Sequence, residues 1–354
     1  MHRRIESAMT MMTDPRHFKL RLFIEGNIIG VATGMVIALF RYLLELSEEY
    51  LPVLYRWLPE HIVWIPVWFL ALFLCSWVLY RIVRKDGMTS GSGIPQIKGI
   101  LLGEMDMNWA RVLVLKFTGA VLGIGAGMAL GREGPSVQLG ACLGQGLGRL
   151  THRSYAESHY LLTAGAGAGL AAAFNAPLAG VIFCLEELTK NFSAFVLMGA
   201  ISAAVTATTV TQYFFGMQPV FHMGVVPVID TGHMYFLLIL LGAFVGLLGL
   251  AFNPMLTRSQ DFYKKVPARW RPVVPLFCAG VLGFVLPQIL GGGSRLVDSL
   301  VVTDYTLAFL VLLLAAKFLF TMVCFGSGVP GGIFLPMLVL GSVGGAVFGQ
   351  VAIV

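Results

Sequence analysis

Long apolar runs recur along nearly the whole chain, and they constrain its fold more than any other feature. Several of these runs are close to the length of about 20 residues that an α-helix needs to cross the hydrocarbon core of a bilayer. They lie at 62–80, 111–130, 193–215, 234–252, 273–290 and 306–325. Charged residues make up only 12% of the sequence, about half of the roughly 25% that is usual in soluble domains. The sequence therefore predicts an all-α, polytopic membrane protein.

Residues 1–21 are too polar to be the hydrophobic region of a signal peptide, and no cleavage site with small residues follows them. The first apolar run begins near Leu20 and continues past Phe40, which predicts a membrane span of the mature protein. The five cysteines lie inside apolar runs without metal-ligand spacing. Small buried side chains are therefore favoured over disulfides or a metal site.

Two parts of the chain resemble each other. Residues 116–148 align without gaps with residues 317–349, and the matches include the Lys-Phe pair that begins each segment. A weaker match relates residues 30–44 to residues 242–256. We predict a cytoplasmic segment at 1–19, a first membrane repeat at 20–225 and a second, incomplete repeat at 226–354. Only five residues follow Gly349, which favours a C-terminally truncated fragment over a naturally short protein.

Charge indicates the relative orientation of the repeats. Residues 1–21 carry five basic and two acidic side chains, whereas residues 45–61, after the first predicted span, carry one basic and four acidic. The second repeat reverses this pattern, because residues 222–232 carry one acidic side chain and residues 258–271 carry five basic and one acidic. Lys and Arg are enriched in cytoplasmic loops. The repeats are therefore predicted to be inverted, an architecture typical of secondary transporters with a substrate site near the midplane.

Three short glycine-containing motifs interrupt apolar sequence: GSGIP at 91–95, GREGP at 131–135 and GIFLP at 332–336. Each ends in proline, which is favoured in the first turn of a helix because its missing N–H would be unsatisfied there anyway. The motifs thus predict the N-termini of helices broken inside the membrane. Helix N-termini offer free N–H groups and the positive end of the dipole, so three converging ends would bind a dehydrated anion near the midplane.

Arg132 and Glu133 are adjacent in the second motif, and charged residues at membrane depth are rare and usually functional. The carboxylate of Glu133 can occupy the place of the anion and leave it when protonated. This competition would couple a proton to an anion through one residue. For Arg132 we favour a structural role, either with backbone carbonyls or in tuning the local field.

With these three motifs in this order and near this spacing, the chain resembles the CLC family of chloride channels and proton–chloride exchangers. The resemblance implies an inverted-repeat fold whose broken helices converge on an anion site. It also implies a selectivity filter formed by the motif residues. These are Gly91, Ser92, Gly93, Ile94, Pro95, Gly131, Arg132, Glu133, Gly134, Pro135, Gly332, Ile333, Phe334, Leu335 and Pro336.

The resemblance further implies individual roles. The hydroxyl of Ser92 and the backbone N–H groups of Ile333 and Phe334 would bind the central chloride. Glu133 would be the external gating glutamate, and Glu187 the internal proton-transfer glutamate. Serine in the first motif is typical of chloride-selective members of the family. The tyrosine that the family places against the chloride has no match by motif in this chain.

Simpler interpretations exist for several of these residues. Ser92 is also a good helix N-cap, and Glu187 can be a solvated glutamate at a helix end. For Lys116 and Lys317 we favour side chains that snorkel from an apolar stretch to the membrane interface. The small residues of 164–174 predict close helix packing.

Together these observations predict a proton-coupled chloride antiporter, which the resemblance would make an electrical shunt in acid resistance. The protein would be a homodimer in a bacterial inner membrane, multi-pass, with a cytoplasmic N-terminus. Its partners would be chloride, protons and the lipid bilayer, with no cofactor, metal or nucleic acid and no enzymatic activity. Three alternatives stay open: a passive voltage- or proton-gated chloride channel of the same family, a non-transporting membrane scaffold and, less favoured because the sequence offers no catalytic constellation, an integral-membrane enzyme.

Overall fold

A computed structural model describes residues 15–190, 192–217, 221 and 232–353. In these residues the regular structure is helical, apart from one isolated β-bridge. The α-helices in this part of the chain are α1 (Pro15–Trp57), α2 (Trp64–Lys85), α3 (Ile94–Leu102), α4 (Trp109–Gly125), α5 (Glu133–Leu150), α6 (Tyr155–Phe174), α7 (Pro177–Phe183), α8 (Ala194–Phe215), α9 (Gly232–Lys265), α10 (Val273–Val285), α11 (Ser294–Val302), α12 (Leu307–Gly326) and α13 (Phe334–Ile353). Three 3₁₀ turns and one π-helix complete them, at Leu58–Glu60, Gly87–Thr89, Pro287–Ile289 and Cys184–Thr189.

Six of the described helical segments are long and apolar enough to cross a bilayer. They are His17–Glu60, Trp64–Lys85, Ala194–Phe215, Tyr235–Lys265, Leu307–Gly326 and Phe334–Ala352. The prediction of a polytopic α-helical membrane protein is thereby confirmed. The apolar run at 111–130 forms a shorter helix than its length suggests, because α4 ends at Gly125. The chain then turns at Gly127, whose φ of 98° lies in the left-handed region that favours glycine.

The chain packs as two compact units that interleave along the sequence. The first consists of Met1–Leu46, Ile82–Val121 and Arg132–Pro219, and the second of Ser47–Arg81, Leu122–Gly131 and Val220–Val354. Helix α1 therefore contributes its first part to one unit and its last part to the other. The repeat boundaries that we predict from the sequence stay a prediction, because compact packing and internal repetition are different properties of a chain.

Glycines allow a very close contact between α5 and α6 in the first unit. A Cβ added at Gly140 would overlap the carbonyl oxygen of Gly165, and a Cβ added at Gly165 would overlap the carbonyl oxygen of Gly140. A Cβ added at Gly144 would likewise overlap the carbonyl oxygen of Leu161. The two backbones are therefore in direct contact. This confirms the close helix packing that the small residues of 164–174 predict.

In the second unit, α9, α12 and α13 share an apolar core. Phe252, Met322 and Leu340 are buried in it. Ile333, which precedes the first residue of α13, packs against these side chains. The start of α13, which carries the third motif, is therefore anchored by ordinary apolar packing.

Candidate anion site

Each of the three motifs starts an α-helix. Helix α3 begins at Ile94 of GSGIP, α5 begins at Glu133 of GREGP, and α13 begins at Phe334 of GIFLP. The proline of each motif therefore lies in the first turn of its helix, where its missing N–H costs nothing. This confirms that the motifs mark helix N-termini, whose first N–H groups have no partner within the helix.

In the first unit, GSGIP lies against the start of α5. A Cβ added at Gly134 would lie 2.8 Å from both the Cβ and the carbonyl oxygen of Ser92, so only glycine fits at this position. One turn further along α5, the side chain of Gln138 fills the space beside Gly93. Its Nε2 donates to the carbonyl oxygen of Met88 at 2.7 Å. The structure thus brings the predicted chloride-binding serine next to the helix that begins with Glu133.

The hydroxyl of Ser92 takes part in the start of α3. Its Oγ accepts a hydrogen bond from the N–H of Ile94 at 3.4 Å. Gly91 and Gly93 on either side have φ of 60° and 91°, a left-handed conformation that favours glycine. The contact uses a lone pair of the oxygen, and a serine hydroxyl can still donate its hydrogen. The capping role and the predicted anion-binding role of Ser92 are therefore compatible.

Lys116 is fully buried, so the interpretation of this lysine as a snorkelling side chain is wrong. Its ammonium group donates to the carbonyl oxygens of Thr89 at 3.0 Å and Gly91 at 2.6 Å. These two carbonyl groups belong to the three residues that precede Ser92 in the chain. Lys116 therefore holds the backbone of the first motif from α4. Backbone acceptors satisfy the buried ammonium group in place of interfacial water.

Lys317 is also fully buried in the second unit, and its snorkelling interpretation is wrong for the same reason. Its ammonium group donates to the carbonyl oxygens of Ile289 and Gly291 at 2.8 Å each. Gly291 and Gly293 have φ of 63° and 96°, close to the values at the first motif. The loop before α11 thus has the same local construction as GSGIP. Comparison of the two repeats in sequence did not detect this correspondence, because matching glycines alone are too common to mark two segments as similar.

The third motif lies in the second unit. Gly332 and Gly131 exchange two backbone hydrogen bonds, of 2.8 and 2.7 Å, in the isolated β-bridge. Leu335 is buried, whereas the side chain of Phe334 is exposed. The roles that we predict for the N–H groups of Ile333 and Phe334 concern the backbone, and they stay a prediction.

Glu133 is the first residue of α5 and is buried, with 3% of its surface exposed. At the start of a helix, the free N–H groups and the positive end of the helix dipole stabilise a nearby negative charge. The same features stabilise a bound anion. This is the local environment that the sequence predicts for a carboxylate in competition with an anion.

Arg132 is buried, and a carboxylate of the same unit lies next to its guanidinium group. Its Nη1 lies 3.4 Å from Oε1 of Glu45, and the same oxygen lies 3.3 Å from Nη2 of Arg41. The Arg41 guanidinium also lies 4.2 Å from the ring centroid of Phe215. Two buried guanidinium groups thus share the charge of Glu45. The sequence pattern did not point to Arg41 or Glu45.

Replacement of Glu45 by glutamine is expected to destabilise the protein, because it leaves two buried guanidinium groups without a described carboxylate partner. Removal of one partner of a buried ion pair costs about 3–5 kcal/mol. Since the Glu45 side chain is 43% exposed, we expect about 2 kcal/mol here. Thermal unfolding in detergent measures the change. Glu49→Gln alters an exposed carboxylate of the same helix and serves as the control. Equal unfolding temperatures for both variants would contradict the prediction.

Glu187 lies in the π-helix Cys184–Thr189 and is 48% exposed. Its carboxylate forms an ion pair with the ammonium group of Lys98 on α3. Sequence analysis missed Lys98, since these two residues are 89 positions apart and no local pattern relates them. The exposure of Glu187 agrees with the solvated alternative. The pair with Lys98 shows in addition that its carboxylate has a specific partner.

Among the residues that the structure describes, no group of three or more His, Cys, Asp or Glu side chains could hold a metal ion. The features of the candidate site are instead helix N-termini, one hydroxyl and two carboxylates. Groups of these kinds can in principle bind a small anion or exchange protons without a covalent step.

Comparison with known proteins identifies the same family that the three motifs indicate. Residues 70–354 match the family model described as voltage gated chloride channel. The H(+)/Cl(-) exchange transporter ClcA of Vibrio cholerae serotype O1 is 36% identical over 342 residues, which cover 92% of this chain and 72% of that protein. The ClcA transporter of Citrobacter koseri is 34% identical over 345 residues, 94% of this chain and 72% of that protein.

Solved structures are similar as well. The crystal structure of a slow cyanobacterial Cl-/H+ antiporter superposes with a TM-score of 0.87 at 29% identity, and the match covers 94% of this chain and 80% of that chain. A CLC-type fluoride/proton antiporter superposes with a TM-score of 0.78 at 24% identity, over 94% of this chain and 82% of that chain. The second likeness shows a shared fold.

Proposed function

Because this chain belongs to the voltage gated chloride channel family, we propose that it is an antiporter that exchanges chloride for protons across a membrane. The main support is the position of Glu133, a buried carboxylate at the first residue of α5. A carboxylate there competes with an anion for the same helix N-terminus. It also takes up a proton, so that one residue links the two ions.

The chemistry of the site supports fast anion exchange. Helix N-termini and the Ser92 hydroxyl stabilise a dehydrated chloride through partial charges. A full positive charge would hold the ion longer, and transport requires binding that is weak enough for release. The guanidinium group of Arg132 is paired with Glu45, which reduces its attraction for the transported anion. When Glu133 is protonated it becomes neutral, loses its attraction to the helix end and gives way to chloride.

Glu187 supports the proton-transfer part of the proposal. Its carboxylate is exposed, whereas that of Glu133 is buried. We infer that Glu187 exchanges protons with water on the internal side and that Glu133 exchanges protons at the anion site. A passive channel has no need of the internal proton acceptor, and the relatives named above are exchangers. Both points favour the antiporter over the channel.

The finer assignments are part of the same proposal. We place the protein in a bacterial inner membrane with a cytoplasmic N-terminus, as the basic residues of the N-terminal segment favour. The family resemblance supports a homodimer with one pore per subunit, and transport without a cofactor. It also supports a role as an electrical shunt during acid stress. Equal survival of deletion and wild-type strains at low external pH would argue against that role.

A flux experiment tests the proposed exchange. The chain is reconstituted in liposomes with high internal chloride, and external chloride and pH are recorded together. We expect chloride efflux to drive protons into the liposomes, so that the external pH rises, with protein-free liposomes as the control. Chloride movement without proton movement would favour the passive channel. Absence of both fluxes would favour the non-transporting scaffold.

A further inference from the structure

The ion pair between Lys98 and Glu187 connects two parts of the first unit that the proposed function treats separately. Lys98 lies on α3, the helix that begins directly after Ser92 and Gly93. Glu187 lies on the π-helix. The pair therefore links the proposed internal proton acceptor to the helix that follows the proposed chloride-binding serine.

Both side chains border an open cavity of about 680 Å³. Such a volume holds many water molecules, each of which occupies about 30 Å³ in the liquid. The other ionisable groups that line the cavity are Tyr155, His159 and Tyr160 of α6, and Lys190 after the π-helix. Lys190 is a second cation in the same cavity. The ion pair of Glu187 in the described residues is nevertheless with Lys98.

Glu187 lies on the π-helix, a feature that suggests that its contact with Lys98 has a functional role. The wider turn of a π-helix is uncommon, and such turns in helices occur frequently at functional sites. Thr189 closes it by a hydrogen bond from Oγ1 to the carbonyl oxygen of Cys184 at 3.0 Å. Glu187 is exposed on this turn, so packing does little to restrict its side chain. An opposite charge on α3 is the interaction that restricts the direction of its carboxylate.

The geometry points to Lys98 as a positioning residue for proton transfer, which holds the ionised Glu187 carboxylate against α3 until a proton arrives. A proton from water in the cavity binds a carboxylate oxygen of Glu187. The neutral carboxyl group is no longer attracted to the ammonium group and turns away to pass the proton on. Loss of that proton restores the charge and the ion pair. Each proton transferred therefore breaks and reforms one contact with α3. This inference rests on the proposed antiporter function.

The first test is Lys98→Met, which keeps the length of the side chain and removes its charge. We expect the proton flux of the reconstituted variant to fall about tenfold, since small errors in the position of a proton-transfer group are costly. Chloride flux should stay near the wild-type rate, so that fewer protons move per chloride. Lys98→Arg should retain coupling. Lys190→Met removes the other cation of the cavity and should leave both fluxes unchanged.

A double variant separates positioning from a structural role. If Lys98 acts through Glu187, Lys98→Met should change nothing further when Glu187 is already glutamine, because effects within one interaction are not additive. A structural role would instead lower both fluxes together and add to Glu187→Gln. Thermal unfolding of Lys98→Met should match wild type, as exposed ion pairs contribute little to stability. Lys98→Gln provides a second uncharged variant, and unfolding of both would overturn the inference.

The outcomes also distinguish this inference from the proposed function. If wild type couples protons to chloride and Glu187→Gln uncouples them, the function stands. Glu186→Gln, at the neighbouring exposed carboxylate, is the control for that variant. A wild-type ratio of proton to chloride flux in Lys98→Met would then overturn the role of Lys98 alone. If the wild-type protein moved chloride but no protons, both the proposed antiporter function and the role of Lys98 would be overturned.

Discussion

Glu133→Gln is expected to stop proton movement while chloride still passes. Glutamine has nearly the size of glutamate, but it cannot take up and release a proton at the helix start. It also lacks the negative charge that competes with an anion there. We expect the proton flux in the liposome assay to fall at least about 100-fold, in the range that removal of an acid–base group costs. Chloride flux should remain, because the neutral side chain resembles the protonated state.

The control for this variant is Glu60→Gln, at an exposed glutamate in the 3₁₀ turn Leu58–Glu60. It removes one carboxylate far along the chain from the three motifs and should keep the wild-type ratio of proton to chloride flux. If Glu133→Gln kept that ratio as well, the proton would have to bind elsewhere. Loss of chloride flux together with proton flux would show instead that glutamine blocks the anion path.

Gly140→Val should have the largest effect on stability. Its side chain would overlap the backbone of α6 at Gly165, and a backbone carbonyl cannot turn away as a side chain can. Overpacked cores lose about 1–3 kcal/mol and sometimes more, and a valine here must separate two helices. We expect a loss above about 3 kcal/mol. The measurement is the unfolding temperature in detergent, with the yield of monodisperse protein as a second readout.

The internal repeat supplies a matched control. Gly341 aligns with Gly140 in the two similar segments, yet a Cβ added at Gly341 would meet nothing within 4 Å. Valine has a somewhat higher helix propensity than glycine, so Gly341→Val should change stability by less than about 1 kcal/mol. If both variants lost a similar amount of stability, the loss would come from replacing a helical glycine as such. It would not come from the contact of Gly140 with α6.

Several features of the protein follow from short stretches of sequence. The apolar run at 193–215 corresponds to α8, Ala194–Phe215, and the run at 306–325 corresponds to α12, Leu307–Gly326. Length and apolar composition are enough to predict such helices, because backbone hydrogen bonds in a bilayer must be satisfied within the segment. The three helix starts were equally predictable, since the effects of glycine and proline on the backbone are local.

Sequence patterns failed where a side chain finds its partner far along the chain. Lys116 looks like an interfacial lysine in its own helix, and only the folded unit shows that Thr89 and Gly91 turn their carbonyl groups toward it. The same holds for Lys317, and for the ion pair that joins Lys98 to Glu187. In each case the polar partner comes from a loop or from another helix.

The sequence by itself thus determined the helical membrane fold, the places where three motif-bearing helices begin, and Glu133 as a candidate for proton transfer, whereas the candidate role of Glu187 came from the family resemblance. Only the tertiary structure decided how the charged side chains are satisfied. The physical reason is that helix formation and helix starts depend on neighbouring residues, whereas a buried charge depends on whichever polar groups the fold brings within hydrogen-bonding distance.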